Sequence, residues 1–237
     1  MNENATATFK TFILWPADQD SNYYNLGLLD EQASGNAADR SMEIYYRIRA
    51  QPTLAWLPTL RELFLHHGGL QSDAVATARG MSKSTRDLYG RRPPHYVFKV
   101  SRGTGSDRVK MESFYAGRDF TFAHAIDGEE RHFSWKQTSI FGSSYKLVDV
   151  KEPQTRIAMF TFKKGEKECG DLTVDADRGL DFEYLVIITW MCVLEVMKDR
   201  QVKLTKLKKL PIEVPLWILR LFFYSGGGDG GGGGGGD

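Results

Sequence analysis

The chain has 237 residues, 41% of them hydrophobic and 26% charged, enough for one well-buried domain or two small ones. A formal net charge of +1 provides no global field of the kind that draws a protein to nucleic acid, and no nucleic-acid partner is expected. Cys169 and Cys192 are too few for a disulfide framework, and the segment from Met1 has neither the basic start nor the long apolar core of a secretion signal, so a reduced, cytoplasmic setting is expected.

In chain order, "TFKTFILW" near the start reads as an extra strand, and residues 16–40, which lack sustained periodicity, read as loop. Ile44, Tyr46 and Ile48 then alternate with other residues in the period-two manner of a half-buried strand. "LPTLRELF" at 57–64 fits either a short helix or an extended segment, and residues 78–95, rich in Arg, Gly and Pro, read as a second loop. Further alternation follows at Tyr96, Phe98 and Val100, at Phe120, Phe122 and Ile126, and at Phe133 and Trp135. "YKLVDV", "RIAMFTF" and "DLTVDA" complete the series. Turn-prone pieces ("RGTGSD", "DGEE", "FGSS", "KEPQ", "KKGEKECG") separate most of these runs, the pattern of an antiparallel sandwich or barrel. There are no βαβ units of about 30 residues, so a doubly wound nucleotide fold is not expected.

Near the end comes "EYLVIITWMCVLEVMKD", residues 183–199, apolar almost all the way round. It falls short of the ~20 apolar residues that span a bilayer, and Glu183 and Glu195 flank its apolar centre. A helix apolar on every face must be buried on every face, and an all-β protein offers that environment inside a closed barrel. A 16-residue helix is ~24 Å long, and a seven-residue strand ~23 Å. The β-branched Val186, Ile187, Ile188, Val193 and Val196 leave a strand pair as the alternative, but no turn residue interrupts 182–198. The expectation is therefore a helix over 182–199, with Asp181 as its N-cap and Glu183 in its first turn, inside a closed antiparallel β-barrel.

Four stretches carry a family likeness: "TLRELFLHHGGLQSDAVATARG", "FTFAHAIDGEERHFSWKQTS", "YKLVDVKEPQTRIAMFTFKKG" and "LVIITWMCVLEVMKDR". On these, residues from about 41 to 200 resemble the tubby-like superfamily of tubby C-terminal domains, phospholipid scramblases and plant LURP-one-related proteins, its fungal members most of all. The "F-x-W-K" piece from Phe133 to Lys136 and the helix ending in "LEVMKDR" are the most specific matches. Residues 18–40 and the chain beyond 200 have no counterpart in that pattern. The resemblance implies a barrel of about twelve strands threaded by a hydrophobic helix, and a binding role directed at phosphoinositide-type lipid.

Catalytic chemistry is hard to assemble from these residues. Gly103 and Gly105 begin a G-x-G-x-x-G pattern whose third position is Arg108, which reads as a hairpin loop, and no P-loop exists. His66 and His67 are adjacent, so on a strand their side chains face opposite ways and do not share a metal. His124 alternates with Phe122 and Ile126 and reads as barrel-lining. Asp175 and Asp177 begin a calcium-loop pattern that fails at Leu180, where glycine is needed, and at Val186, where glutamate is needed. The related scramblases are proposed to bind calcium just before their last helix, which keeps calcium-dependent lipid handling as an alternative. No metal, cofactor or catalytic residue is expected, and a non-enzymatic role is.

The remaining signal is a basic-apolar tail over 201–225, ahead of a glycine tract at 226–237 that reads as disordered. Lys203, Lys206, Lys208 and Lys209 precede an apolar block containing Trp217, Phe222 and Phe223, while Pro211 and Pro215 break any long helix. Lysines suit anionic head groups at ~1 kcal/mol each, and an aromatic block suits the bilayer interface. Lys163 and Lys164, in the "KKGEK" turn, add positive charge at one barrel end. The expected function is thus peripheral docking on anionic membrane lipid through these lysines, with Trp217, Phe222 and Phe223 inserting. A protein–protein adaptor, with a protein partner in place of lipid, is the other alternative.

Overall fold

The computed structural model describes residues 8–17, 22–29, 43–54, 57–83, 95–102, 108–114, 119–126, 128–138, 144–163 and 170–208. Twelve strands follow one another in an antiparallel meander: β1 (Phe9–Pro16), β2 (Tyr23–Leu28), β3 (Ile44–Leu54), β4 (Leu57–His67), β5 (Ala74–Lys83), β6 (His95–Arg102), β7 (Arg108–Phe114), β8 (Asp119–Ile126), β9 (Glu129–Gln137), β10 (Ser144–Asp149), β11 (Arg156–Phe162) and β12 (Gly170–Asp175). β1 pairs with β12, Phe9 opposite Asp175 and Leu14 opposite Gly170, and this seam closes the barrel. A 3-10 turn (Ala176–Arg178) then leads into α1 (Leu180–Lys208).

Alternation decides which face looks inward. Phe12 and Leu14, Tyr24 and Leu26, Ile48 and Ala50, Leu63 and Leu65, Phe133 and Trp135, Leu172 and Val174 are all buried at every second position of their strands. They meet an unbroken buried run on α1, from Leu185 to Val196, in which Glu195 is the most accessible residue at 8%. That run explains why the helix sequence lacks a polar face: the barrel wall surrounds it. The helix is not central. It runs along β4, β5 and β6, where the inward positions Ala76, Ala78 and Gly80 are small. The wider gap on the other side is filled by large rings, with Trp190 stacked on Phe160 at 4.2 Å and 5.1 Å from Trp135. The Trp135 indole N–H donates to the Thr189 hydroxyl at 3.1 Å, and that hydroxyl donates to the Val186 carbonyl at 3.1 Å, so these two side chains are satisfied, while the Trp190 indole N–H beside them has no partner.

Several boundaries differ from the sequence reading. The barrel starts at Phe9 and not near residue 41, because β1 and β2 are two of its staves. Part of the 16–40 loop is strand: Tyr24 and Leu26 point into the core from β2. Residues 57–64 are extended, and β5 continues through Lys83 into what read as the second loop. The helix spans 180–208 in place of 182–199, so the first residues of the supposed tail are helical. Asp181 lies within the first helical turn. The residue ahead of the helix is Gly179, whose carbonyl accepts the Glu183 N–H at 3.1 Å and whose φ of +82° turns the chain out of the 3-10 turn. The glycine tract at 226–237 lies outside the described residues.

Candidate functional site at the two barrel mouths

Because neighbouring strands are antiparallel, the strand ends gather at two mouths. The helix N-terminus enters at one, and its C-terminal half leaves by the other. The entry mouth is held by a buried carboxylate. Glu183, 2% exposed, accepts a hydrogen bond from the Lys10 ammonium at 2.8 Å on one oxygen and from the Tyr46 hydroxyl on the other. The chain brings three distant residues together here: Lys10 comes from the first strand, Tyr46 from the third and Glu183 from the helix.

A bulge in β3 crowds this mouth with rings. Register slips between Leu26 and Gly27 of β2, so Tyr45 is an extra residue and both tyrosines turn toward the helix. Tyr45 stands edge-on to Tyr46 at 4.8 Å, and Tyr46 edge-on to Tyr184 at 5.8 Å. Burial, together with the bond to Glu183, pushes the Tyr46 phenol far above its usual value. Burial and the same carboxylate raise that of Tyr184. The hydrogen bond to Glu183 raises the Lys10 ammonium. All three groups stay protonated across the neutral range, which suits a structural clamp rather than proton transfer.

The exit mouth carries cations. Glu195 lies 3.6 Å from Arg61 and 3.9 Å from Lys198, and the Lys198 ammonium sits 4.0 Å from the Tyr24 ring centre. Burial lowers Lys198 to about 8. Beyond Val196, residues 197–208 continue the helix by ~18 Å. That continuation contains Lys203, Lys206 and Lys208, three of the lysines singled out from sequence. β11 also ends at this mouth, which brings Lys163 to the same end of the barrel as the departing helix. Lys163 is exposed and pairs with Asp171 at 2.9 Å, so part of its charge is already balanced. Lys164, Lys209, Trp217, Phe222 and Phe223 lie outside the described residues. Lys10, Tyr46, Arg61 and Lys198 were not identified from sequence. Lys198 alone had a local signal, a charge ending an apolar run, while the others acquire their role from pairing across the fold.

Elsewhere the polar groups have local roles. The His66 ring meets the Ser72 carbonyl at 2.8 Å, while His67 faces the Tyr184 hydroxyl at 3.4 Å, on opposite sides of β4 as adjacent strand residues require. The His124 ring lies 6.3 Å from that of Phe182, at the helix start. Cys192 is fully buried, and desolvation raises its thiol well above the usual range, which keeps it unreactive. Asp175 accepts from the Asp177 N–H and from the Arg178 guanidinium, each at 3.1 Å, while Asp177 accepts from the Thr8 N–H at 3.2 Å. The acidic run is a braced turn at the seam. Among the described residues no group of three or more His, Cys, Asp or Glu could hold a metal ion, and no helix is long and apolar enough to cross a membrane. No family model, curated protein or solved structure matches the chain.

Proposed function

We propose that this chain is a non-enzymatic binding module that docks peripherally on anionic phospholipid, with its helix exit mouth toward the bilayer. The observation that carries this reading is the continuation of α1 to Lys208. Lys203, Lys206 and Lys208 are thereby borne on the same helix that threads the barrel, which leaves at the end where β11 runs into Lys163. Helical spacing sets positions 204 and 207, both leucine, on one stripe with positions 203 and 206 next to it, the arrangement of an interfacial amphipathic helix. Three lysines at ~1 kcal/mol each amount to roughly a hundredfold preference for an anionic surface. Lys164 and Lys209 extend the same charge, and Trp217, Phe222 and Phe223 follow as the segment that enters the interface. The likeness to tubby-like proteins supports the reading and favours phosphoinositide head groups.

Co-sedimentation of the full chain with vesicles tests it. Vesicles containing phosphatidylserine or phosphoinositide are expected to pellet the protein, and pure phosphatidylcholine is not. Raising salt should release it, and the triple substitution Lys203→Glu, Lys206→Glu, Lys208→Glu should abolish pelleting. Equal, negligible pelleting by both vesicle types, or binding indifferent to salt, would defeat the proposal.

A further inference from the structure

On the outside of the barrel a row of side chains crosses five strands obliquely, from the exit-mouth ends of the first two to the entry-mouth ends of the fourth and fifth. Trp15 of β1 is opposite Asn25 of β2, Asn25 opposite Arg47 of β3, Arg47 opposite His66 of β4, and His66 opposite Ala74 of β5. Three consecutive members each hold a buried polar atom without a hydrogen-bond partner: Asn25 Oδ1, Arg47 Nε and His66 Nε2. Arg49, two residues along the same face, has a fourth in its Nε, while its guanidinium lies 4.7 Å from the Phe64 ring centre. Buried polar atoms are nearly always paired, so four unpaired ones on adjoining positions of one patch call for a ligand. None of the five register positions carries a carboxylate, so the row offers Arg47 no ion-pair partner. Asn25 and His66 are each 6% exposed.

The patch borders a depression of ≈ 470 Å³ lined by Ile44, Arg47 and the turn Gly68, Gly69, Leu70 and Gln71. His66 is tied to that turn. A carbonyl only accepts, so the contact to Ser72 puts the ring proton on Nδ1. Nε2 is the ring nitrogen left over, an acceptor wherever it carries no proton. The unfilled set is therefore two guanidinium donors, which require negative oxygen, and two acceptors, Asn25 Oδ1 and His66 Nε2, which require a donor. One small group meets both demands: an oxyanion that keeps a proton on one oxygen, as hydrogen phosphate and phosphomonoester monoanions do. Sulfate has the charge and lacks the proton.

We propose that Asn25, Arg47, Arg49 and His66, with the adjoining Gly68–Gln71 depression, form a binding site for a phosphate group. The site is distinct from the lysines of the docking proposal, since it is built on the outer face of β2, β3 and β4 while Lys203, Lys206 and Lys208 are borne on α1. Arg47 and Arg49 take the anionic oxygens, and His66 and Asn25 receive the remaining proton or an ester hydroxyl nearby.

The test titrates the full chain with inorganic phosphate, then sulfate, while following imidazole nitrogens by long-range proton–nitrogen correlation. The expected result is a saturable shift of the His66 Nε2 resonance with phosphate, much weaker with sulfate. Arg47→Gln should weaken phosphate binding about tenfold or more, and Arg47→Lys should fall between. An unchanged thermal midpoint for both variants shows the fold is intact. A parallel arm measures pelleting by vesicles of phosphatidic acid, a lipid phosphomonoester. Response to free phosphate alone assigns the site to a soluble anion. A response of the triple lysine variant to phosphatidic acid that Arg47→Gln abolishes, whether or not free phosphate binds, assigns it to a head group. No His66 shift and no Arg47-dependent pelleting, sulfate binding equal to phosphate, or full binding by Arg47→Gln overturns the proposal. The docking reading fails separately, because Arg47→Gln should leave phosphatidylserine pelleting intact and the triple lysine variant should leave phosphate binding intact.

Discussion

Replacing Glu183 with leucine should expose how tightly the entry mouth depends on one carboxylate. In the native chain Glu183 is 2% exposed and accepts from both Tyr46 and Lys10. The substitution strands the fully buried Tyr46 hydroxyl, a loss of ~1–3 kcal/mol. The ammonium of Lys10, about one-third exposed, can turn to water, so losing that pair adds only ~0.5–1 kcal/mol. The total is ~2–4 kcal/mol. Tyr46→Phe alone should cost ~1–2 kcal/mol, because Glu183 keeps Lys10. In the double variant the stranded hydroxyl is gone together with its acceptor, so the loss should be smaller than the sum of the singles by ~1–3 kcal/mol. Equilibrium urea unfolding of the four proteins at neutral pH measures this. Additivity within ~0.5 kcal/mol would show that the two side chains do not depend on each other, and the clamp reasoning would fail.

The same mouth should make the protein sensitive to alkali. Tyr46, Tyr184 and Lys10 all hold their protons more firmly folded than unfolded, so their contribution is complete below about pH 10 and is lost as pH rises. Tyr46 alone steepens the decline by ~1.4 kcal/mol per pH unit above its unfolded value of 10.0. Urea midpoints from pH 9 to 11 should fall in the native chain and less steeply in Tyr46→Phe; matching slopes would contradict it. In the dry centre, Thr189→Val keeps the shape but leaves the Trp135 indole N–H without its acceptor, at ~1–3 kcal/mol, whereas Thr189→Ser should be mild. Equal thermal midpoints for the valine and serine variants would refute that bond's importance.

Most of the barrel could be read from the chain wherever inward residues are large. Phe98 and Val100, Phe120 and Phe122, Phe133 and Trp135 announce their strands because bulky side chains at every second position leave a period-two trace. The helix announced itself through the absence of any polar face. β5 was hard to see for a physical reason: α1 passes so close that its inward positions are Ala76, Ala78 and Gly80, and small residues erase the alternation. β2 hid because only Tyr24 and Leu26 mark its buried face, while Asn25 and Gly27 between them read as turn residues. Gly27 is glycine because Trp15 lies against it, where an added Cβ would come within 2.9 Å of the ring. The helix ran past its expected end because the apolar run, which marks burial, stops where the barrel stops, and not where the helix does. Lys203, Lys206 and Lys208 were visible as charge, but their attachment to the barrel's helix was not. The Asn25–Arg47–His66 row was invisible, since it exists only through strand register.

The seam between the first and last strands has a consequence for how the chain assembles. The Thr8 amide meets Asp177 across 169 residues of sequence. Drawing such a loop shut forfeits ~4.5 kcal/mol of chain entropy before any contact at the junction compensates. Until that happens the half-curled sheet has two raw margins able to recruit foreign strands, and its greasy lining stands open. Folding should thus be slow and nearly all-or-none, with one edge of the opening stave unpaired until the twelfth has been synthesised. Clipping residues 8–16 would leave the cylinder permanently gaping, a ribbon with an adhesive hem rather than a shortened version of the same protein.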